Sequence, residues 1–256
     1  MALWVGADTA RRTAPFLIAA MLALAGGAAL AAPPQAETQG GNVTLSVDEP
    51  SLDPRLGRAA ILIKERKAAE AISIVEQIIA EEERVHAGEG RLIKSARSPA
   101  ESLMYALEGA TENRETIVLG PTWSMALFLK GFALIDLGRP DEAKPLLEKA
   151  VEMAPMNAQF LAELGEWHKT RRQWTEAYAL FDRAADAAGI SPEDLQRAEK
   201  GRALRGMGFV LIEQGRLDEA EKLFRKCLKL NPNDQSARTE LQYIREQKAR
   251  AKQGAR

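Results

Sequence analysis

Few side chains in this sequence could do acid–base or metal chemistry, and they lie far apart along the chain. The two histidines, His86 and His168, and the single cysteine, Cys227, have no partners at the short spacings that zinc ligands use. No glycine-rich segment has the spacing of a phosphate-binding loop. We therefore expect no catalytic residue, no bound metal and no cofactor, and we expect Cys227 to be a buried, unreactive thiol.

The composition favours a helical protein without a nucleic-acid partner. The chain has 256 residues, of which 46% are hydrophobic and 5% aromatic, and its formal net charge is −1. Ala, Leu, Glu, Lys and Arg dominate, and these residues favour helix on intrinsic propensity. Nucleic-acid binding usually needs a clustered basic excess, which this chain lacks. One cysteine cannot form an internal disulfide.

One sequence motif occurs twice, as "GRPDEAKPLLEKAVEMAP" at 138–155 and "GRLDEAEKLFRKCLKLNP" at 215–232. The stretch 171–189 aligns with the first copy at an offset of 34 residues. The later copy at 215–232 is offset further because the segment "SPEDLQRAE" at 191–199 is inserted before it. An apolar helical pattern with a central glycine precedes each copy. The sequence therefore predicts three helix–turn–helix units, with a lengthened first helix in the third.

These units resemble the tetratricopeptide repeat, a helical hairpin of 34 residues. The proposed units are 124–157, 158–191 and 201–234. The resemblance implies an all-α fold, a right-handed superhelical solenoid. Together with the N-terminal signal described below, the chain resembles the exported bacterial type of this family. The positions that carry it are Leu127, Gly131, Leu134, Ala143, Leu147, Ala150 and Pro155 in the first unit, Leu161, Leu164, Gly165, Ala177, Phe181 and Ala184 in the second, and Leu204, Gly208, Leu211, Ala220, Phe224 and Pro232 in the third.

In this family the first helices of successive units line a groove that binds peptides or protein segments. The resemblance implies a non-catalytic interaction or assembly module; the alternative is an accessory subunit of a periplasmic enzyme or of secretion or polysaccharide-export machinery. Phe128 and Phe132 either anchor a ligand or pack against a helix expected at 99–112. The positions carried over to the groove are Met125, Phe128, Phe132, Ile135, Gln159, Ala162, Glu166, Lys169, Arg202, Arg205, Phe209 and Ile212.

The flanks of the repeats are also expected to be helical. Residues 52–122 contain one degenerate repeat, and Ser98-Pro99-Ala100-Glu101 is a helix-start sequence. The helix that follows offers Leu103, Met104 and Leu107 to a neighbour, and 116–121 is predicted to be a connector. Residues 235–256 are predicted to form a polar capping helix and tail.

The N-terminus has the three parts of an export signal. Arg11 and Arg12 precede an apolar run at 14–32, and Ala29-Leu30-Ala31 is a small-residue cleavage site. The sequence predicts a signal peptide at 1–31, a flexible linker at 32–51 and a periplasmic or secreted protein. An uncleaved N-terminal membrane anchor is the alternative. The expected partner is a protein or peptide, and the membrane is expected to be involved only through this signal.

Overall fold

The computed structural model describes the backbone of residues 43–45 and the chain from 52 to 254. The predicted export signal at 1–31 and most of the predicted linker at 32–51 lie outside the described residues. Ten helices and three short strands make up the described part. The helices are α1 (Pro54–Lys64), α2 (Ala68–Val85), α3 (Pro99–Thr111), α4 (Thr122–Asp136), α5 (Pro140–Met153), α6 (Ala158–Thr170), α7 (Trp174–Ala187), α8 (Glu193–Glu213), α9 (Leu217–Leu230) and α10 (Gln235–Gly254).

The helices form an all-α repeat solenoid, as the sequence predicted. The pairs α4–α5, α6–α7 and α8–α9 occupy the proposed units, and each second helix also packs against the first helix of the next pair. Gly138 and Gly215 adopt positive φ of 73° and 75° in the turns inside the first and third pairs, a conformation that costs glycine little. In the corresponding turn of the second pair, Arg172 takes φ 57° without that advantage.

Close approach of the paired helices depends on glycine, as the sequence predicted. A Cβ added at Gly131 would lie 3.0 Å from Leu147, and one at Gly165 would lie 3.1 Å from the Phe181 ring. A Cβ at Gly208 would lie 2.7 Å from Phe224. These three aromatic and aliphatic side chains belong to the second helix of each pair, so any larger residue at the glycine would push the helices apart.

Three short strands form a small parallel sheet. One of them coincides with the segment that the sequence predicted to be a connector. The strands are β1 (Val43–Leu45), β2 (Leu92–Ser95) and β3 (Thr116–Leu119), in the order β1-β3-β2. The prediction of a connector at 116–121 was therefore wrong, and three residues of the predicted flexible linker are paired as β1. Such short strands are specified by pairing partners that are distant in sequence, which a local pattern does not reveal.

The helices α3 and α8 begin in different ways. The Ser98 side chain accepts a hydrogen bond from the Glu101 N–H, so α3 begins as expected. The long helix α8 of 21 residues is also as expected, and it begins after Pro192 without a side-chain cap. The Ser191 hydroxyl instead donates to the Glu199 carboxylate, because both side chains belong to a buried polar cluster.

Helix α10 caps the last pair through ion pairs with α9. Lys248 Nζ of α10 donates to Asp218 Oδ1 and Glu221 Oε2 of α9 at 2.6 Å each. Within α9, Arg225 Nη2 also donates to Glu221 Oε1 at 2.5 Å. The bonds from Lys248 and then Arg225 hold the pKa of Glu221 at about 2. Because this lies below the ordinary value of 4.5, the ionised carboxylate stabilises the folded state above pH 4.5, and this contribution is lost as the pH falls toward 2.

We expect Glu221→Gln to lower the urea midpoint by a small, constant amount from pH 8 to about pH 5, because the pair is near the surface. The difference between wild type and variant should then shrink as the pH falls and the native carboxylate is protonated. Circular dichroism during urea unfolding at several pH values measures it. A difference that is as large at pH 2.5 as at pH 7 would contradict the assigned role of the ion pairs.

Candidate functional site

The proposed groove positions divide into a buried end and an accessible end. At the first unit, Met125, Phe128 and Phe132 are 1%, 1% and 8% exposed. The Phe128 ring stacks on Phe160 of α6 with centroids 4.8 Å apart, and Phe132 lies beside it. This stripe is therefore packed inside the protein and is not exposed to a ligand in this structure.

The partner of this stripe is not the one that the sequence suggested. Helix α3 packs in a separate small cluster of Ala96, Tyr105 and Val118, which Met156 borders. Phe128 and Phe132 belong instead to the main core, which runs through the helix pairs. The assignment of α3 as the cover of the stripe was wrong, because α3 lies on the short sheet.

Three more of the proposed groove residues lie in the core. Gln159, Ala162 and Ile212 are 7%, 1% and 7% exposed. The repeat pattern assigns these three residues to the groove, but their side chains are buried in the folded protein. The partly exposed members are Ile135, Glu166, Lys169, Arg202, Arg205 and Phe209.

The accessible end centres on Phe209 of α8. The Lys169 ammonium lies 4.7 Å from the centre of the Phe209 ring, which is a cation–π geometry. Glu166, one turn earlier on α6, forms an ion pair with the same lysine. The aromatic ring and the lysine side chain therefore form one surface that bridges α6 and α8.

Two arginines precede Phe209 on α8, and a buried carboxylate holds each of them. Arg202 Nη2 donates to Glu163 Oε2 at 2.6 Å, and Arg205 Nη1 donates to Asp234 Oδ2 at 2.6 Å. Burial raises the pKa of Glu163, and the charge of Arg202 opposes that shift. A guanidinium has five N–H donors, so each arginine is fixed by one nitrogen and keeps donors for a ligand.

The residues with potential for other chemistry have structural surroundings. His168 Nδ1 lies 2.7 Å from Gln173 Oε1, and the ring of His86 stacks on Trp123 at 5.7 Å. Cys227 is buried, and that burial raises the pKa of its thiol to about 11, so the thiol stays protonated at neutral pH. Among the residues that the structure describes, no group of three or more His, Cys, Asp or Glu could hold a metal ion.

A buried polar cluster joins the β2–α3 turn to the α7–α8 connection, and the sequence did not predict it. Arg97 donates to Glu101 and Glu199 at 2.9 and 2.8 Å and to the Ser191 hydroxyl at 3.2 Å. The Ser98 hydroxyl donates to the Ile190 carbonyl oxygen at 3.3 Å. Ser191 and Glu199 are the ends of the segment that interrupts the repeat period, so this interruption serves a contact with the sheet region.

Comparisons with known proteins agree with the observed architecture. Two family models of the tetratricopeptide repeat match this chain, one at residues 128–194 and the other at residues 201–234. The chain therefore contains tetratricopeptide repeats, a class of helical repeat that generally mediates protein–protein interaction. A comparison with curated proteins found no match. No helix in the described part of the chain is both long and apolar enough to cross a membrane.

Several solved structures share the fold at low sequence identity. Pseudomonas aeruginosa pilF is 16% identical, with a TM-score of 0.54 over 77% of this chain and 69% of its own. A MamA RS-1 variant is 14% identical, with a TM-score of 0.50 over 79% of this chain and 87% of its own. The first repeat domain of human RPAP3 is 22% identical, with a TM-score of 0.45 over 52% of this chain and 98% of its own. At these identities the first two structures support a shared fold only.

Proposed function

We propose that this chain binds a protein or peptide segment across α6 and α8 and has no catalytic activity of its own. The observation that carries the proposal is the partly exposed Phe209 ring under the Lys169 ammonium, on the same helix as two arginines that buried carboxylates hold. An aromatic anchor beside arginines is typical of the residues that dominate binding energy at protein interfaces. The surface suits a segment with an apolar side chain for Phe209 and carbonyl or carboxylate oxygens for the arginines.

We further propose that the chain acts in the cell envelope after export. The support is the N-terminal order of Arg11 and Arg12, the apolar run 14–32 and the small residues that end it. Groove binding does not depend on whether the signal is removed. Mass spectrometry of protein recovered from cell fractions gives both its compartment and its first residue, and recovery only from cytosol contradicts this part of the proposal.

A photo-crosslinking side chain at position 209 tests the binding surface. We expect it to yield a discrete crosslinked product with one envelope protein, whereas the same side chain at Lys226, on α9, should not. Recovery of one enzyme at fixed stoichiometry would favour a regulatory subunit over a passive scaffold. Equal crosslinking from both positions, or none from 209, contradicts the proposed surface.

With the partner identified, Phe209→Ala should weaken binding by about tenfold, the equivalent of about 1.4 kcal/mol. The thermal midpoint should change little, because the ring is partly exposed and lies outside the main core. Ile61→Ala removes an apolar side chain that is 47% exposed on α1 and serves as the matched control. Calorimetric titration of the three proteins measures the effect, and equal affinities would overturn the role of Phe209.

A further inference from the structure

Helix α3 presents a face to the solvent that carries no charge. Leu103, Met104 and Leu107 are 57%, 38% and 52% exposed. At 3.6 residues per turn, the exposed positions of α3 fall within an arc of about 140°. Besides those three, that face comprises Pro99, Ala100, Ala110 and Thr111. An exposed apolar face of this kind is unusual on a soluble monomer and generally marks an interaction site.

The ionisable residues of α3 point away from this face. Glu101 is fully buried and bonded to Arg97, while Glu108 lies 3.7 Å from the Lys94 ammonium against the sheet. Tyr105, whose hydroxyl accepts from the Met156 N–H, covers the remaining inner side. Carboxylates therefore face the protein and leucines face outward, which reverses the usual arrangement of a surface helix.

The chain outside the described residues enters the fold beside this helix. Strand β1 pairs in parallel with β3, with Val43 opposite Thr116, and α3 ends at Thr111, just before β3 begins. Residues 33–42 separate β1 from the apolar run 14–32. Ten residues reach at most about 35 Å. Residue 32 can therefore lie no more than about 35 Å from the start of β1, at the end of the sheet where α3 gives way to β3.

We propose that the uncharged face of α3 rests on the lipid bilayer that a retained apolar segment 14–32 enters. As a helix, these 19 residues would be about 28 Å long, close to the thickness of the hydrocarbon core. The segment would hold α3 near the bilayer at high effective concentration. Stable membrane attachment commonly combines one inserted element with a second, weaker contact.

The other possible occupants fit this face less well. Three large apolar side chains are too few to cover a run of 19 apolar residues, so the segment itself would stay mostly exposed on α3. A stable dimer buries about 1,200–2,000 Å² in total, and one face of a 13-residue helix offers far less. A bilayer needs neither a matching shape nor a minimum area, and it accepts a small uncharged face next to an inserted anchor.

Fluorescence quenching in vesicles tests the proposal on the full chain. Cys227→Ala removes the native thiol and places alanine where the first two repeats have Ala150 and Ala184. An environment-sensitive label is attached at Met104→Cys, or at Leu137→Cys as the control, which is 43% exposed in the turn after α4. The proteins are inserted into phosphatidylcholine vesicles whose acyl chains carry bromine.

We expect the label at 104 to be quenched at least about twofold more than the label at 137, as for side chains that enter the interface. Leu103→Glu with Leu107→Glu should reduce quenching at 104 to the control level without changing the thermal midpoint, because both side chains are exposed. Raising the salt to 1 M or adding phosphatidylglycerol should change nothing, since the face is uncharged.

Equal quenching at 104 and 137 overturns the proposal, because it means that the segment itself, a second copy or water covers the face. Quenching that falls in high salt also overturns it, since charges elsewhere would then hold the chain to the membrane. Mass spectrometry of the protein from cells must find residues 14–32 retained. Removal of these residues overturns the proposal but leaves the binding function assigned to α6 and α8 intact.

Discussion

Replacing Arg97 by methionine should lower the free energy of unfolding by about 3–5 kcal/mol. The guanidinium lies between Glu101, which is fully buried, and Glu199, which is 7% exposed. Glu101 Oε2 also accepts from the Arg97 backbone N–H at 2.6 Å. Methionine approximates the volume of the arginine side chain but removes its charge, so two buried carboxylates would lose their common cation.

The electrostatics of the cluster explain why the effect should be large. Burial alone would lower the pKa of Arg97, but the charges of Glu101 and Glu199 outweigh it and raise that pKa. The guanidinium is therefore charged at any working pH, and both carboxylates are arranged around that charge. The cluster also joins the sheet region to the second and third repeats, so its loss should loosen two parts of the fold together.

Urea unfolding followed by circular dichroism measures this change, with Arg139→Met as the matched control. Arg139 pairs with Glu142 on the surface, where both side chains are about half exposed, so its loss should cost less than about 1 kcal/mol. Adding Glu101→Gln and Glu199→Gln to Arg97→Met should recover much of the stability, since no buried charge remains unpaired. Equal costs for Arg97→Met and Arg139→Met would show that the cluster is not a buried ion pair in solution.

The repeat architecture was predictable because its constraints are local and recur. Gly131, Gly165 and Gly208 occur at the same place in each unit, and each meets a large side chain from the second helix of its own pair. The period of the sequence therefore predicted both the helices and the places where they approach most closely. The same pattern predicted the lengthened α8, because the segment that interrupts the period extends this helix at its N-terminal end.

The accessible part of the groove was only half predictable. Phe132 and Phe209 occupy equivalent groove positions by the repeat pattern, yet Phe132 is buried beside Phe128 and Phe209 is partly exposed under Lys169. Whether such a position is open depends on the sizes of side chains in the adjoining unit, which the period does not encode. Likewise, no local signal pairs Arg97 with Glu199, because 102 residues separate them.

Gly206 and Gly208 of α8 provide the second prediction with a large effect. A Cβ at Gly206 would lie 2.5 Å from the Phe181 ring, and one at Gly208 would lie 2.7 Å from the Phe224 ring. Both rings are at most 1% exposed and cannot move aside without disturbing the core. We expect Gly206→Ala and Gly208→Ala each to lower the free energy of unfolding by about 1–3 kcal/mol, the usual cost of overpacking.

The same substitution should have the opposite sign in α1. An added Cβ at Gly57 meets no atom within 4 Å, so Gly57→Ala should raise stability by about 0.5–1 kcal/mol through helix propensity alone. Gly131→Ala should lie between the two results, because its added Cβ would meet the flexible Leu147 side chain at 3.0 Å. Urea unfolding of the four variants tests the order. Stabilisation by Gly208→Ala comparable to that by Gly57→Ala would mean that α8 and α9 do not approach as closely as the repeat requires.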